Sequence, residues 1–332
     1  MQLNIYIGIS IWADSLIKLN LISYPEDKLK AMTQDLLFCP VCERKAKSDC
    51  LGKYRGKSEL FNNNELYQCL ECEIIFVYPL PTPSELDQYY KTAWLKDKDI
   101  ISVSKEMEMI YQIQGDERCN YLVQHQVLPK DSKILDIGSG YGYMFRSLQN
   151  KGFEEMRFFA TDPSPICLQK LQTLGVNACD SLSEVSERNF DLVTLGQVLE
   201  HIPNPNSFLQ SVMTLVRDGG HIYIDVPDRD DTHKTWLEPH TLFYSEKSIL
   251  NLAKKLNLKV IHITSFGVKR KKFIQPKFLF HRISCKIKNL SRALLSREPK
   301  AEQLKKKLFD IYQFDREGEG GWWVKVLLKV EK

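Results

Sequence analysis

At 332 residues, 43% hydrophobic and 27% charged, the chain has an ordinary globular composition and enough length for one large domain with an appendage. No apolar run reaches the roughly 18 residues needed to cross a bilayer, so no transmembrane span is predicted. The net charge of +4 is unevenly spread: residues 269–307 hold fourteen Lys or Arg against Glu298 and Glu302, a local +12 that leaves −8 for the remainder.

The chain opens on MQLNIYIGISIWADSLIKLNLI. This stretch is apolar, but it lacks a basic start and a small-residue cleavage site and contains Asp14 and Lys18, so it does not read as a signal peptide. Residues 1–35 are expected to be a poorly defined extension, either an accessory helix or a consequence of initiating ahead of Met32.

Cys39-Pro40-Val41-Cys42 and Cys69-Leu70-Glu71-Cys72 stand 26 residues apart, with Gly52, Gly56 and Asn62-Asn63-Asn64 as turn signals between them. Two C-x-x-C turns can each present two thiolates to one tetrahedral zinc. Four thiolates close the coordination sphere, so residues 36–80 are predicted to be a zinc ribbon holding a structural Zn2+. The other five cysteines, Cys50, Cys119, Cys167, Cys179 and Cys285, are scattered, which fits a reducing cytoplasm.

Pro79, Pro81 and Pro83 form a stiff connector ahead of the helical stretch SELDQYYKTAW, and a second helix is expected from about Ser104 to Gln126. Residues 81–128 thus read as connecting helices. Beyond Pro129 the pattern changes. KILDIGS, MRFFATD, FDLVTLG and HIYIDV are strand-like runs, with helical segments such as PICLQKLQTLG and NSFLQSVMTLV between them. LKVIHITSF and WWVKVLLKV read as two further strands. Strands alternating with helices imply an α/β fold with a parallel sheet covered on both faces.

The first of these strands runs into a glycine loop, ILDIGSGYGY. A dinucleotide fingerprint requires a third small residue where this chain has Tyr143, which argues against a pyrophosphate ligand. Asp162 ends the next strand 22 positions beyond Gly140, where it can accept both hydroxyls of a ribose. The expected ligand therefore carries a ribose and no pyrophosphate.

Asp136, Gly138, Gly140 and Gly142, Asp162 in FFATD, the stretch FDLVTLGQVLEHIPNP and the turn and strand RDGGHIYIDVPD together resemble class I S-adenosylmethionine-dependent methyltransferases. The likeness covers about residues 105 to 266 and the last strand. It implies a Rossmann-like, seven-stranded, mostly parallel sheet over residues 129–332, with a basic helical insertion at about 267–320. It also implies a cofactor site that includes Asp136, Gly138, Gly140 and Gly142, in which Gly138 and Gly140 let the backbone approach the methionine part and Asp162 holds the ribose. Asp180 or Ser181 would lie near the adenine, and Gln197 would line the pocket. The ribbon followed by IIFVYPLPTPSELDQYY is similar to the amino-terminal region of bacterial methyltransferases of deoxysugar and surface-polysaccharide pathways. Those proteins usually have Gly after the fourth cysteine, where this chain has Glu73.

Methyl transfer from a sulfonium mainly needs the acceptor held at near-attack distance, and a base helps where the acceptor is a hydroxyl or an acidic carbon. Two histidines are the candidates. His201 follows the fourth strand of the alternating region, whose carboxyl end faces the ligand crevice in open α/β sheets. His240 sits in WLEPHTLFY, which resembles the substrate-facing stretch of sugar methyltransferases. In the basic segment, Leu279, Ile283, Ile287, Leu290 and Leu294 recur at helical spacing between basic residues. Such a helix either lies on an anionic membrane or packs its apolar stripe over the active site. The expected function is methyl transfer from S-adenosylmethionine to a hydroxyl or carbon of a sugar, glycan precursor or related small molecule, in the cytoplasm or at the membrane periphery. RNA methylation and a non-catalytic cofactor-binding scaffold are the alternatives.

Overall fold

The computed structural model describes residues 35–56, 58–90, 105–153, 156–232, 234, 236–267 and 321–332. The expected amino-terminal extension, up to residue 34, and the expected basic insertion, from residue 268 to 320, lie outside these residues. No helix among the described residues is long and apolar enough to cross a membrane.

The first unit is a small antiparallel sheet. β1 (Asp35–Cys39) pairs with β2 (Arg44–Lys53), β2 with β3 (Glu65–Cys69), and β3 with β4 (Ile75–Tyr78). Each C-x-x-C pair occupies a tight turn, between β1 and β2 and between β3 and β4. The residue after each pair, Glu43 and Glu73, turns the chain with φ of 53° and 62°, so the position where similar proteins have Gly is left-handed backbone. α1 (Pro83–Tyr89) follows, started by a capping box in which Thr82 and Glu85 exchange hydrogen bonds.

The second unit is built on seven strands: β5 (Lys133–Ile137), β6 (Arg157–Thr161), β7 (Asn177–Cys179), β8 (Phe190–Gly196), β9 (Val216–Pro227), β11 (Lys259–Phe266) and β12 (Trp323–Lys329). Their order is β11-β12-β9-β8-β5-β6-β7. The pairs from β9 to β7 are parallel, and β12 runs antiparallel to both β9 and β11. β5 and much of β8 are buried along their length, as strands covered on both faces must be. The fold is thus the expected Rossmann-like sheet. The helices are α2 (Lys105–Gln124), α3 (Tyr143–Asn150), α4 (Pro165–Thr173), α5 (Pro205–Leu215) and α6 (Glu246–Lys255).

Two features differ from the expected division of the chain. α2 buries Cys119, Tyr121 and Leu122 in one cluster with Met144, Phe145 and Leu148 of α3 and Leu192 of β8, so it covers the sheet instead of merely connecting two units. The short strand β10 (Leu242–Phe243) joins the ribbon, pairing with β4 and giving that sheet the order β1-β2-β3-β4-β10. A single apolar cluster contains Cys39, Val41, Cys69, Cys72 and Phe76 of the ribbon together with Leu199, Leu209, Leu242, Ile249 and Leu252. The Asn206 amide donates to the carbonyls of Pro40 (2.8 Å) and Val41 (3.0 Å), tying α5 to the first cysteine turn.

Candidate active site

The carboxyl ends of β5, β6, β8 and β9 meet at one edge of the parallel sheet, where open α/β sheets hold their ligands. The loop from Gly138 to Gly142 crosses this edge. The amides of Gly138 and Ser139 both donate to the Thr161 carbonyl, at 2.8 and 3.1 Å, which folds the loop back over β6. Gly140 has φ of +58° and open space where a Cβ would stand, so the loop backbone is bare on that side and leaves room for a ligand to approach closely.

Asp162 is held under this loop. One carboxylate oxygen accepts from the Gly140 amide (2.8 Å) and the other from the Ser164 amide (2.9 Å) at the start of α4. These two bonds fix the orientation of the carboxylate. Asp136 lies deeper. It accepts from the Thr194 hydroxyl at 2.6 Å, and burial pushes its carboxyl up to about 6. The glycines, Asp136 and Asp162 are thus brought together as a cradle that fits S-adenosylmethionine. Asp180 is exposed at the exit of β7, on the same edge, and Ser181 beside it bonds Ser183 (3.0 Å).

Gln197 is in place but engaged. It has φ of 60°, and its side-chain amide donates to Asp225 at 2.7 Å. Asp225, at the end of β9, also takes two bonds from the Arg118 guanidinium of α2, at 2.6 and 3.3 Å. Gly196 makes room for that guanidinium, since a Cβ there would stand 2.5 Å from the Arg118 Cζ. These residues line a cleft with Gln114, Glu117, Phe266 and Trp323. At its back, Lys325 reaches Glu117 at 2.6 Å, with both side chains nearly buried.

The two histidines meet. The rings of His201 and His240 lie 4.8 Å apart, edge to face at 86°. His201 ends the 3-10 turn Leu199–His201 after β8, and the Tyr90 ring packs on it at 6.3 Å. His240 is buried, with Nδ1 2.8 Å from Oδ2 of Asp230, and Lys234 Nζ lies 2.8 Å from the same oxygen. Burial lowers the His240 pKa more than Asp230 raises it. With Asp230 on the Nδ1 side, a proton on Nδ1 would leave the Nε2 lone pair free as an acceptor. Glu200 is 1% exposed, no neighbouring residue among those described donates a hydrogen bond to either of its carboxylate oxygens, and burial raises its pKa well above the usual range.

The backbone around His240 belongs to the ribbon as much as to the large sheet. The Tyr54 hydroxyl donates to the His240 carbonyl (3.0 Å), and Glu238 accepts from the Ser58 amide (2.8 Å) and hydroxyl (2.7 Å). The Leu237 amide donates to the Arg55 carbonyl (3.0 Å), and the Thr241 amide to the Glu200 carbonyl (2.9 Å).

The four cysteine sulfurs lie within 4.8 Å of one another, with Cys39 to Cys72 at 3.6 Å and Cys42 to Cys69 at 3.9 Å. Tetrahedral zinc with Zn–S near 2.3 Å separates its sulfurs by about 3.8 Å, so the set fits a closed structural ion.

Sequence reasoning missed Glu200, Asp230, Arg118 and Asp225. Glu200 was signalled only by adjoining His201 after an apolar strand. Asp230 is one of three aspartates in DRDD, where spacing does not single it out.

A family model described as a methyltransferase domain matches residues 111–263. Ubiquinone biosynthesis O-methyltransferases of Serratia proteamaculans (strain 568) and Photorhabdus laumondii subsp. laumondii are 29% and 30% identical over 128 residues, 36% of this chain and 52% of each relative. The chain thus spans about half the length of the curated relatives it matches. The plantazolicin methyltransferase BamL superposes with a TM-score of 0.47 at 14% identity, over 74% of this chain and 94% of that one. With its glycine loop, strand order and family match, the segment 111–263 is a methyltransferase domain of the class I, S-adenosylmethionine-dependent type.

Proposed function

We propose that this protein transfers a methyl group from S-adenosylmethionine to a hydroxyl or carbon of a sugar, glycan precursor or related small molecule. The observation that carries this reading is that the glycine loop with Asp162 and the His201–His240 pair lie beyond the ends of neighbouring parallel strands, β5 and β8. When bound, the cofactor supplies an electrophilic methyl group on its sulfonium. The chain's own residues do the rest: Asp162 and the loop amides orient the donor, and the acceptor is met by the histidine pair.

His240, with Asp230 beside its Nδ1, is the residue we assign to acceptor activation, with His201 next to it. The names of the relatives favour oxygen as the acceptor atom. The ribbon's similarity to enzymes of glycan pathways supports a sugar-like acceptor.

The test is transfer of labelled methyl from S-adenosylmethionine to nucleotide-activated sugars, lipid-linked glycan precursors and small hydroxylated aromatics, run beside cofactor binding by calorimetry. Binding with transfer to one of these classes supports the proposal. Binding without transfer to any of them, or label passing to RNA instead, would overturn it.

A further inference from the structure

Glu200 is buried in a position that hydrogen bonding does not explain. A carboxylate withdrawn from water is ordinarily matched by donors or by a cation. No neighbouring residue among those described donates to either Glu200 oxygen, and Nε2 of His201 is 3.9 Å from Oε1. Lys234, the cation close by, is spent on Asp230 at 2.8 Å.

One ligand atom from each of Glu200, His201 and His240 lies within 4.8 Å of the others. We propose that these three side chains bind a divalent first-row transition ion. Two imidazoles and one carboxylate are a donor set that such ions prefer, and three protein ligands leave coordination positions open. Bonds of about 2.0–2.2 Å require the three donors to close up by roughly 1 Å, within the reach of side-chain rotation. Asp230 completes the arrangement from behind. A carboxylate on the far nitrogen of a ligating histidine fixes its tautomer and orientation, and Asp230 Oδ2 stands 2.8 Å from Nδ1 of His240, which would leave Nε2 for the ion. The backbone keeps the ligands in register, because the Glu200 carbonyl accepts from both the Thr241 amide (2.9 Å) and hydroxyl (3.3 Å).

This centre differs in kind from the four cysteines. Those are soft, closed and structural, whereas Glu200, His201 and His240 are nitrogen and oxygen donors with room for a further ligand. The ion site stands on its own side chains. Its role rests on the proposed function, with His240 activating the acceptor through the ion and not as a free base: an acceptor oxygen on the open position would lose its proton to solvent more readily before taking the methyl group.

The experiment uses the full chain with ribbon zinc in place, dialysed against a chelator to remove weakly held metal, then titrated with Co2+ by calorimetry. The wild type is expected to bind one equivalent. Glu200→Gln and His240→Gln are expected to weaken that binding at least 10-fold, and Asp230→Asn by about 10- to 100-fold. S-adenosylmethionine affinity of each variant, measured alongside, is expected to stay within twofold of wild type, which shows that the fold and cofactor cradle survive. Wild-type protein that takes up no Co2+, or Co2+ affinity unchanged in both Glu200→Gln and His240→Gln, would overturn the proposal. Co2+ binding that responds to these variants in a protein with no affinity for S-adenosylmethionine would support the ion site and count against the proposed function.

Discussion

The ribbon and the parallel sheet solve the problem of burial differently. The parallel sheet encloses apolar strands such as β5, in which all five residues are buried, between helices on both faces. The ribbon exposes Leu36, Phe38, Leu51 and Leu70 and alternates along β1 and β2, and its four cysteines sit at the turns where a larger domain would have core. A segment of this size gains too little from apolar burial alone, and an ion on the four cysteines would supply what packing lacks. The two units nevertheless share residues 237–243. The ribbon holds that segment by Tyr54, Arg55, Ser58 and the β4–β10 pairing, and the segment carries His240 back to His201 at the sheet edge. On the proposed function, the parallel sheet builds the donor half of the site and the ribbon positions the acceptor half.

The strongest way to break that division is to remove the ribbon's metal. Cys72→Ser, or full chelation, is expected to remove an apparent metal contribution on the order of 10 kcal/mol from the ribbon. Hydrogen exchange should then rise over β1–β4 and residues 237–243 together, with methyl transfer lost. Protection at 237–243 that survives loss of the metal would separate the two units again. The next largest effect belongs to the donor half. Asp162→Ala removes an anchored carboxylate, and charge-assisted bonds of about 1.5–3 kcal/mol predict S-adenosylmethionine affinity weakened on the order of 10- to 100-fold by calorimetry, with the ribbon unchanged.

Smaller changes sharpen the comparison at the seam. Tyr54→Phe deletes the hydroxyl donated to the His240 carbonyl and is expected to cost about 1 kcal/mol in thermal or denaturant unfolding, with a fall in turnover and no change in cofactor affinity. Glu73→Gly relieves left-handed backbone at a cost of about 1–2 kcal/mol to an ordinary residue, but it gives up an exposed pairing with Lys247 and adds chain entropy. A net gain of about 0.5 kcal/mol is expected from the same unfolding measurement.

What was legible in the sequence follows the range of the interactions. β5, β6, β8 and β9 were readable as apolar runs, and the cysteine turns as spaced pairs, because their signals are local. The glycine loop and Asp162 were readable for the same reason, each lying at the end of its own strand. β10 was not. It is two residues long and owes its existence to pairing with β4, more than 160 positions earlier in the chain. Arg118 lies on a helix whose buried positions include Glu117 as well as Cys119 and Leu122, so no apolar stripe marked that face for the core. The pairing of His240 with Asp230, and of its ring with His201, depends on two loops meeting beyond the sheet edge, which neither loop's residues reveal alone.

The division between donor and acceptor halves is tested most directly in His240→Ala, by measuring S-adenosylmethionine affinity and methyl transfer on the same preparation. The account predicts affinity within twofold of wild type and turnover lower by about 100-fold or more. Turnover equal to wild type would contradict it.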